Sequence, residues 1–217
     1  MILHKPVSIK GEQLDLLPQK AIYWSRKKTL LLADIHIGKV GTFREAGIAI
    51  PIQLADRDLS QLTALLKVLD VERCIILGDL FHSKLNGQWN LFKNWINLYP
   101  GITFELVIGN HDILQEEIYI DAGMILHQNF LVEDPFYLVH DPTDFDNKSG
   151  KYGLCGHLHP GIKLKGKGRQ SITLPCFYFG DHYSILPAFG AFTGFKALKI
   201  GELDQVYAIA EDQIFKV

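Results

Sequence analysis

The chain has 217 residues, 47% of them hydrophobic, enough to bury the core of one compact domain over residues 1–217. Its 22 Lys and Arg against 24 Asp and Glu exclude the strongly basic balance of many nucleic-acid binders, so any such contact must rest on a local patch. Cys74, Cys155 and Cys176 are odd in number and lack metal-ligand spacing, which excludes a disulfide framework and suits reduced thiols.

Residues 1–6 carry no basic-then-apolar signal pattern, and the longest uncharged stretch, 182–195, falls short of the ~20 residues that span a bilayer. The expectation is a soluble cytoplasmic protein with no membrane partner. Five short apolar runs, residues 29–33, 74–77, 104–108, 136–139 and 152–155, read as buried strands, each stopping at a polar or Gly-containing cluster. Between the first two, Ile52, Ala55, Leu59, Leu62, Leu66 and Leu69 recur at helical steps, with Pro51 suited to a first turn. A second helix is expected over 90–98, with Leu91, Trp95 and Leu98 as its apolar stripe, ending before Pro100 and Gly101. The first half is therefore βαβαβ-like. From Phe136 onward the helical period is lost, and runs at 172–179, 195–200 and 206–210 alternate with Gly-rich turns. Burying both halves calls for an α/β, four-layer αββα sandwich of two mixed β-sheets flanked by helices.

Every strand expected to be buried is followed by a metal-ligand signal: Asp34-Ile35-His36, Gly78-Asp79-Leu80-Phe81-His82, Gly109-Asn110-His111-Asp112, His140 after Val139, and Gly156-His157-Leu158-His159. Six of the nine histidines fall in these motifs, leaving His4, His127 and His182 as surface or satisfied core residues. Asp34, His36, Asp79, Asn110, His140, His157 and His159 supply seven ligands, near the number two divalent ions roughly 3.5 to 4 Å apart require. Such a pair generates hydroxide from water near neutral pH and neutralises both the attacking and the leaving oxygen of a phosphoester. Asp34 and His36, like His157 and His159, are two residues apart and can point to one side, whereas Asp79 stands alone as the natural bridge. Two carboxylates against two divalent ions leave the site net positive, which attracts an anionic substrate.

The order Asp-x-His, Gly-Asp-x-x-His, Gly-Asn-His-Asp, His, Gly-His-x-His resembles the calcineurin-like metallophosphoesterase superfamily over about residues 29–160. The resemblance implies one ion on Asp34, His36, Asp79 and His159 and another on Asp79, Asn110, His140 and His157. It also makes His111 the acid and phosphate donor, oriented by Asp112. An imidazole next to a ligand is well placed to protonate a departing alkoxide near neutral pH. His82, three residues past Asp79, suits either a hydrogen bond to phosphate or a structural role.

The flanking residues, His36-Ile37-Gly38-Lys39, Phe43-Arg44-Glu45-Ala46-Gly47-Ile48 with Pro51, Phe81-His82-Ser83, Leu186-Pro187-Ala188-Phe189-Gly190 and Phe192-Thr193-Gly194, resemble the bacterial DNA-ligase-associated metallophosphoesterases. That family implies a manganese-dependent DNA nuclease of repair and the DNA damage response, functionally associated with a DNA ligase and a helicase. Oxygen and imidazole ligands without Cys suit manganese, and equally iron or zinc. Lys39 and Arg44 suit flanking phosphates and Phe43 base stacking, or all three belong to an ordinary loop. Lys163, Lys165, Lys167 and Arg169 suit a nucleic-acid backbone or a solvated hairpin. Residues 161–167 read Gly-x-x-x-x-Gly-Lys, but Gly168 replaces the hydroxyl residue a P-loop needs, so that reading is excluded; Gly190 and Gly194 read as tight turns. The alternative activity is hydrolysis of a small nucleotide or other small phosphodiester. A metal-free scaffold is disfavoured by the complete ligand set, and a serine hydrolase by the lack of Gly-x-Ser-x-Gly.

Overall fold

A computed structural model describes residues 3–39, 57–166, 170–191 and 193–217. Seven strands form the first sheet, in sequential order: β1 (Lys5–Ile9), β2 (Glu12–Leu17), β3 (Ala21–Trp24), β4 (Thr29–Leu32), β5 (Arg73–Leu77), β6 (Thr103–Val107) and β7 (Met124–His127). Pairing is antiparallel from β1 to β4 and parallel from β4 to β7. The second, nine-stranded sheet contains β8 (Phe130–Glu133), β9 (Phe136–Val139), β10 (Tyr152–Cys155), β11 (Pro160–Lys165), β12 (Ser171–Phe179), β13 (Tyr183–Ile185), β14 (Lys196–Ala197), β15 (Gln205–Ala210) and β16 (Gln213–Lys216). Its β10 runs parallel to both β9 and β13.

The five expected strands are β4, β5, β6, β9 and β10, and all five are buried on both faces over most of their length, which is why they read as unbroken apolar runs. The three N-terminal antiparallel strands were not expected. Their pattern is shorter and interrupted by charge: Leu14 and Leu16 face the second sheet, whereas Asp15 between them points to the other side. The run at 195–200 contributes only the two-residue β14.

The sheets stack face to face around Leu16, Ile22, Trp24, Leu31, Ile75 and Leu77 from the first and Phe136, Leu138, Leu154, Phe177 and Phe179 from the second. The outer face of the first sheet is covered by α1 (Arg57–Val68), α2 (Gly87–Ile96) and α3 (Glu116–Ile120). Among the described residues no helix joins the small clusters behind the second sheet. Helix α1 buries Leu62, Leu65 and Leu66, matching the expected period; Pro51, Ile52 and Ala55 lie outside the described residues. Helix α2 is capped by the Asn86 side chain, which accepts the Gln88 N–H at 2.9 Å. Its buried face is Trp89, Phe92, Trp95 and Ile96, so the stripe expected through Leu91 and Leu98 is corrected: those two are 57% and 71% exposed. Three aromatic rings, larger in contact area than the leucines, decide which face turns inward.

One polar network ties the two sheets together. Buried Glu105 of β6 accepts from Arg73 Nε at 2.7 Å and lies 2.8 Å from His127 Nε2, while Glu133 of β8 accepts from Arg73 Nη1 and Lys27 Nζ, each at 2.7 Å. His127 is thus a satisfied core histidine. Removing Arg73 leaves Glu105 buried with one partner fewer, so Arg73→Ala is expected to lower the unfolding free energy by about 2–4 kcal/mol in urea titrations. Lys27→Ala, at the more open end, should cost less than about 1 kcal/mol; equal losses would contradict this account. Among the described residues no helix is long and apolar enough to cross a membrane, and Cys74, Cys155 and Cys176 are free and buried.

Candidate metal centre

All seven candidate ligands sit just past the carboxyl ends of β4, β5, β6, β9 and β10, where open α/β sheets gather their ligands. As β4 ends, its backbone keeps bonding across to the loop after β5: Asp34 N–H donates to Gly78 O at 3.1 Å and His36 N–H to Asp79 O at 2.9 Å. That register carries the first motif alongside the second. Asp34, His36, Asp79, His157 and His159 all have φ between 45° and 67°, a region that non-glycine residues rarely occupy. Five of seven candidate ligands in this conformation is strain held where the surrounding structure requires it.

Two donor clusters result. In the first, His36 Nε2 lies 3.4 Å from His159 Nε2 and 3.6 Å from Asp79 Oδ2, and His159 Nε2 lies 3.4 Å from Asp34 Oδ1. In the second, His140 Nε2 lies 3.4 Å from Asp79 Oδ1, 3.1 Å from Asn110 Oδ1 and 3.1 Å from His157 Nδ1. Donors bound to one ion at about 2.1 Å are about 3.0–3.4 Å from each other, depending on the bond angle. Asp79 turns one oxygen to each cluster, an arrangement that suits a bridging carboxylate.

Tautomers sharpen the fit to a cation. His140 Nδ1 lies 2.8 Å from the Leu77 carbonyl, which can only accept, so Nδ1 carries the proton and Nε2 presents a lone pair. His157 Nε2 lies 3.3 Å from Asp141 Oδ2, leaving Nδ1 as the free lone pair. In these tautomers two imidazole lone pairs, a carboxylate oxygen and an amide oxygen converge, a donor set that suits a divalent ion. In the first cluster, burial, with Lys39 and the surrounding histidines, pushes His36 down to about 2, so it too is the neutral imidazole a metal needs.

The backbone is shaped to this arrangement. A Cβ on Gly78 (φ +77°) would fall 2.1 Å from His140 Nδ1, and one on Gly190 would fall 2.3 Å from the Ile35 carbonyl. Gly190, read from the sequence as a turn, is thus a close approach that packs the late loop onto the first motif, where its N–H donates to Asp34 O at 3.0 Å.

Beside the first cluster the His111 and His82 rings stand 4.0 Å apart, and His36 Nδ1 is 3.1 Å from His82 Nδ1. Half-buried Lys39 follows on the same loop; burial lowers its pKa, while Asp79 and Asp34 pull it back up. The same edge therefore carries three groups able to donate to an anion. Phe43 and Arg44 lie outside the described residues, as do Lys167 and Arg169, while Lys163 and Lys165 are exposed on β11. Gly161 falls in that strand, paired with β12, and not in a phosphate loop.

The structure corrects the part expected of Asp112. Its buried carboxylate accepts the backbone N–H groups of Asp79 (2.8 Å), Leu80 (2.9 Å), Phe81 (3.1 Å) and Gly109 (2.9 Å), tying the second and third motifs together instead of holding the His111 ring. Asp141 was missed altogether. The sequence hint was its place directly after candidate ligand His140; in the structure its Oδ2 lies 3.3 Å from His157 Nε2, and its carboxylate is itself held by the Thr143 N–H and hydroxyl, both at 2.8 Å. Asp141→Ala is expected to weaken divalent-metal affinity by about 10- to 100-fold in titrations of the metal-free protein. Parental affinity would show that His157 needs no orienting partner.

The family described as Calcineurin-like phosphoesterase matches residues 27–203. The structure is similar to that of nuclease MPE from Pseudomonas putida, with 30% identity, a TM-score of 0.84, and 99% of this chain and 100% of that one covered. A protein of unknown function from Aquifex aeolicus is 17% identical with a TM-score of 0.41, covering 65% of this chain and 82% of that one. Vps29 from Entamoeba histolytica, solved with zinc, is 13% identical with a TM-score of 0.34, covering 87% and 96%. No curated protein matches.

Proposed function

The chain belongs to the calcineurin-like phosphoesterase family, and from that premise we propose that it is a manganese-dependent DNA nuclease acting in repair. The observation that carries the phosphodiesterase reading is the division of the Asp79 carboxylate between two donor clusters, with His111, His82 and Lys39 beside one of them. The nuclease reading is supported by 30% identity to the Pseudomonas putida nuclease over 99% of this chain. Manganese suits a donor set of oxygen and imidazole without thiolate. The cytoplasm suits three buried, free cysteines. A ligase and a helicase as functional partners follow from the family resemblance of the flanking residues.

Asp34, His36, Asp79 and His159 would hold one ion, and Asp79, Asn110, His140 and His157 the other. When bound, the pair supplies an acidified water and neutralises charge at the phosphate. The chain's own groups do the rest. His111, whose backbone N–H donates to Asp79 Oδ1 at 2.9 Å, is positioned by that bond and delivers a proton to the departing alkoxide. His82 and Lys39 donate to the non-bridging phosphate oxygens and hold the diester in place.

Purified protein with added manganese is expected to cut labelled linear and circular DNA, circular substrate being open only to an endonuclease. His111→Ala should lower the rate by about 10²- to 10⁴-fold, the usual worth of a positioned general acid. DNA left intact while a small chromogenic diester is hydrolysed would replace the nuclease reading with that of a small-diester phosphodiesterase.

A further inference from the structure

A cleft opens beside the second donor cluster, and three of the residues that line it, Gln128, Asn129 and Asp144, have no part in the reading above. Its volume is about 300 Å3; it is lined by the candidate ligands Asn110, His140 and His157, by Ile108 and Gly109 of the same loop, and by Gln128, Asn129, Asp141 and Asp144. Gln128 and Asn129 are exposed residues in the turn between β7 and β8, while Asp141 precedes the 3-10 turn Pro142–Asp144 and Asp144 is its last residue. Asp141 caps that turn through Thr143, and Asp144 N–H donates to Asp141 O at 3.0 Å, so the acidic wall is fixed before any substrate arrives.

The two sides of the centre differ in charge. The first cluster carries Lys39, His82 and His111 beside it, whereas the residues lining the cleft include two carboxylates and neither lysine nor arginine. A phosphate flanking the scissile one is therefore favoured on the first side over the second. What fits the second side is a neutral group rich in hydrogen-bonding edges. Each amide, Gln128 and Asn129, offers donors and an acceptor, and each carboxylate accepts from exocyclic amino groups, matching the mixed edge of a nucleobase. The volume lies at the lower end of small-ligand sites, enough for one nucleoside and too little for a base pair.

We propose that this cleft is a nucleoside subsite: it receives the base and sugar on one flank of the scissile phosphate, with Gln128 and Asn129 as specificity-determining residues. The proposal rests on the DNA-nuclease reading and deepens it. It makes the site polar, with flanking phosphates running over the Lys39 side and a nucleoside on the Asn129 side.

The test uses single-stranded oligonucleotides with manganese, in which the base on one flank or the other of a fixed bond is replaced by a stable abasic residue. The parent protein is expected to cut that bond about tenfold more slowly when the base on one flank is missing, with little change for the other flank. In the Gln128→Ala/Asn129→Ala variant, the ratio of intact to abasic rates should fall towards one. This ratio is taken within one preparation, so it does not depend on the fraction folded; if the double variant cannot be purified, Gln128→Ala alone should show a reduced ratio. A parent insensitive to base removal on both flanks, or a variant that keeps the parental ratio, overturns the subsite while leaving the nuclease reading intact. A parent that cuts none of the oligonucleotides but hydrolyses a small chromogenic diester removes the nuclease reading, and the subsite with it.

Discussion

Asp79→Ala is expected to reduce metal-dependent hydrolysis by more than about 10³-fold and to abolish the thermal stabilisation that the divalent ion confers on the parent protein. Asp79 divides its carboxylate between the clusters: its Oδ2 is 3.6 Å from His36 Nε2 and its Oδ1 is 3.4 Å from His140 Nε2. Truncation takes a ligand from each ion at once. Loss of a single outer partner already costs about 10- to 100-fold in affinity or activity, and a shared ligand acts on two ions that work together. The same change removes the acceptor of the His111 N–H, at 2.9 Å, so the proton donor loses its anchor as well. Two measurements check this independently of one another. Metal analysis of dialysed protein should show both ions lost in place of one, and melting temperature should no longer rise with added manganese, because a ligand that binds the native state stabilises it only in proportion to its affinity. One ion retained at parental affinity would show that Asp79 serves a single cluster.

The metal centre was legible in the sequence because divalent ions admit few residue types, and because doubly buried parallel strands leave unbroken apolar runs that mark where each ligand must fall. All seven candidate ligands converge, in two groups that share Asp79. Much less was legible where the deciding contact is distant in sequence. The family resemblance implied that Asp112 orients its neighbour His111; its carboxylate instead reaches back 31 to 33 residues to the Asp79 loop. Asp141 lies 16 positions before His157, and only the parallel pairing of β9 with β10 brings the two together. The left-handed backbone at Asp34, His36 and Asp79 leaves no mark in composition either, since aspartate and histidine there are identical in sequence to aspartate and histidine elsewhere. In α2 the expected Trp95 is buried but Leu91 and Leu98 are not, because helical spacing weighs leucine and tryptophan alike while packing favours the larger rings of Trp89, Phe92 and Trp95.

Asp112→Ala is expected to remove at least about 4 kcal/mol of folding stability, a large share of the 5–15 kcal/mol typical of a domain. The carboxylate is buried and divides its two oxygens among four backbone donors, Oδ2 taking the Asp79 and Gly109 N–H groups and Oδ1 those of Leu80 and Phe81. Burial pushes its pKa up to about 6, against the opposing pull of these N–H donors, so it remains an anion near neutral pH. With the acceptor gone, each stranded donor costs about 1–3 kcal/mol, reduced where water enters the space left behind. Asp112→Asn separates this role from that of an orienter for His111. The asparagine is nearly isosteric, but one of its ends becomes an NH2 group that must face either the Asp79 and Gly109 pair or the Leu80 and Phe81 pair, setting donor against donor. Stability should therefore fall for Asp112→Asn as well, by about 2–4 kcal/mol in urea unfolding of the metal-free protein, and divalent-metal affinity should fall with it because the Asp79 backbone is no longer held. A residue that merely set the His111 tautomer would behave differently: its asparagine variant would unfold at the parental urea concentration, bind metal normally and lose only kcat. That pattern would return Asp112 to the role the family resemblance implied.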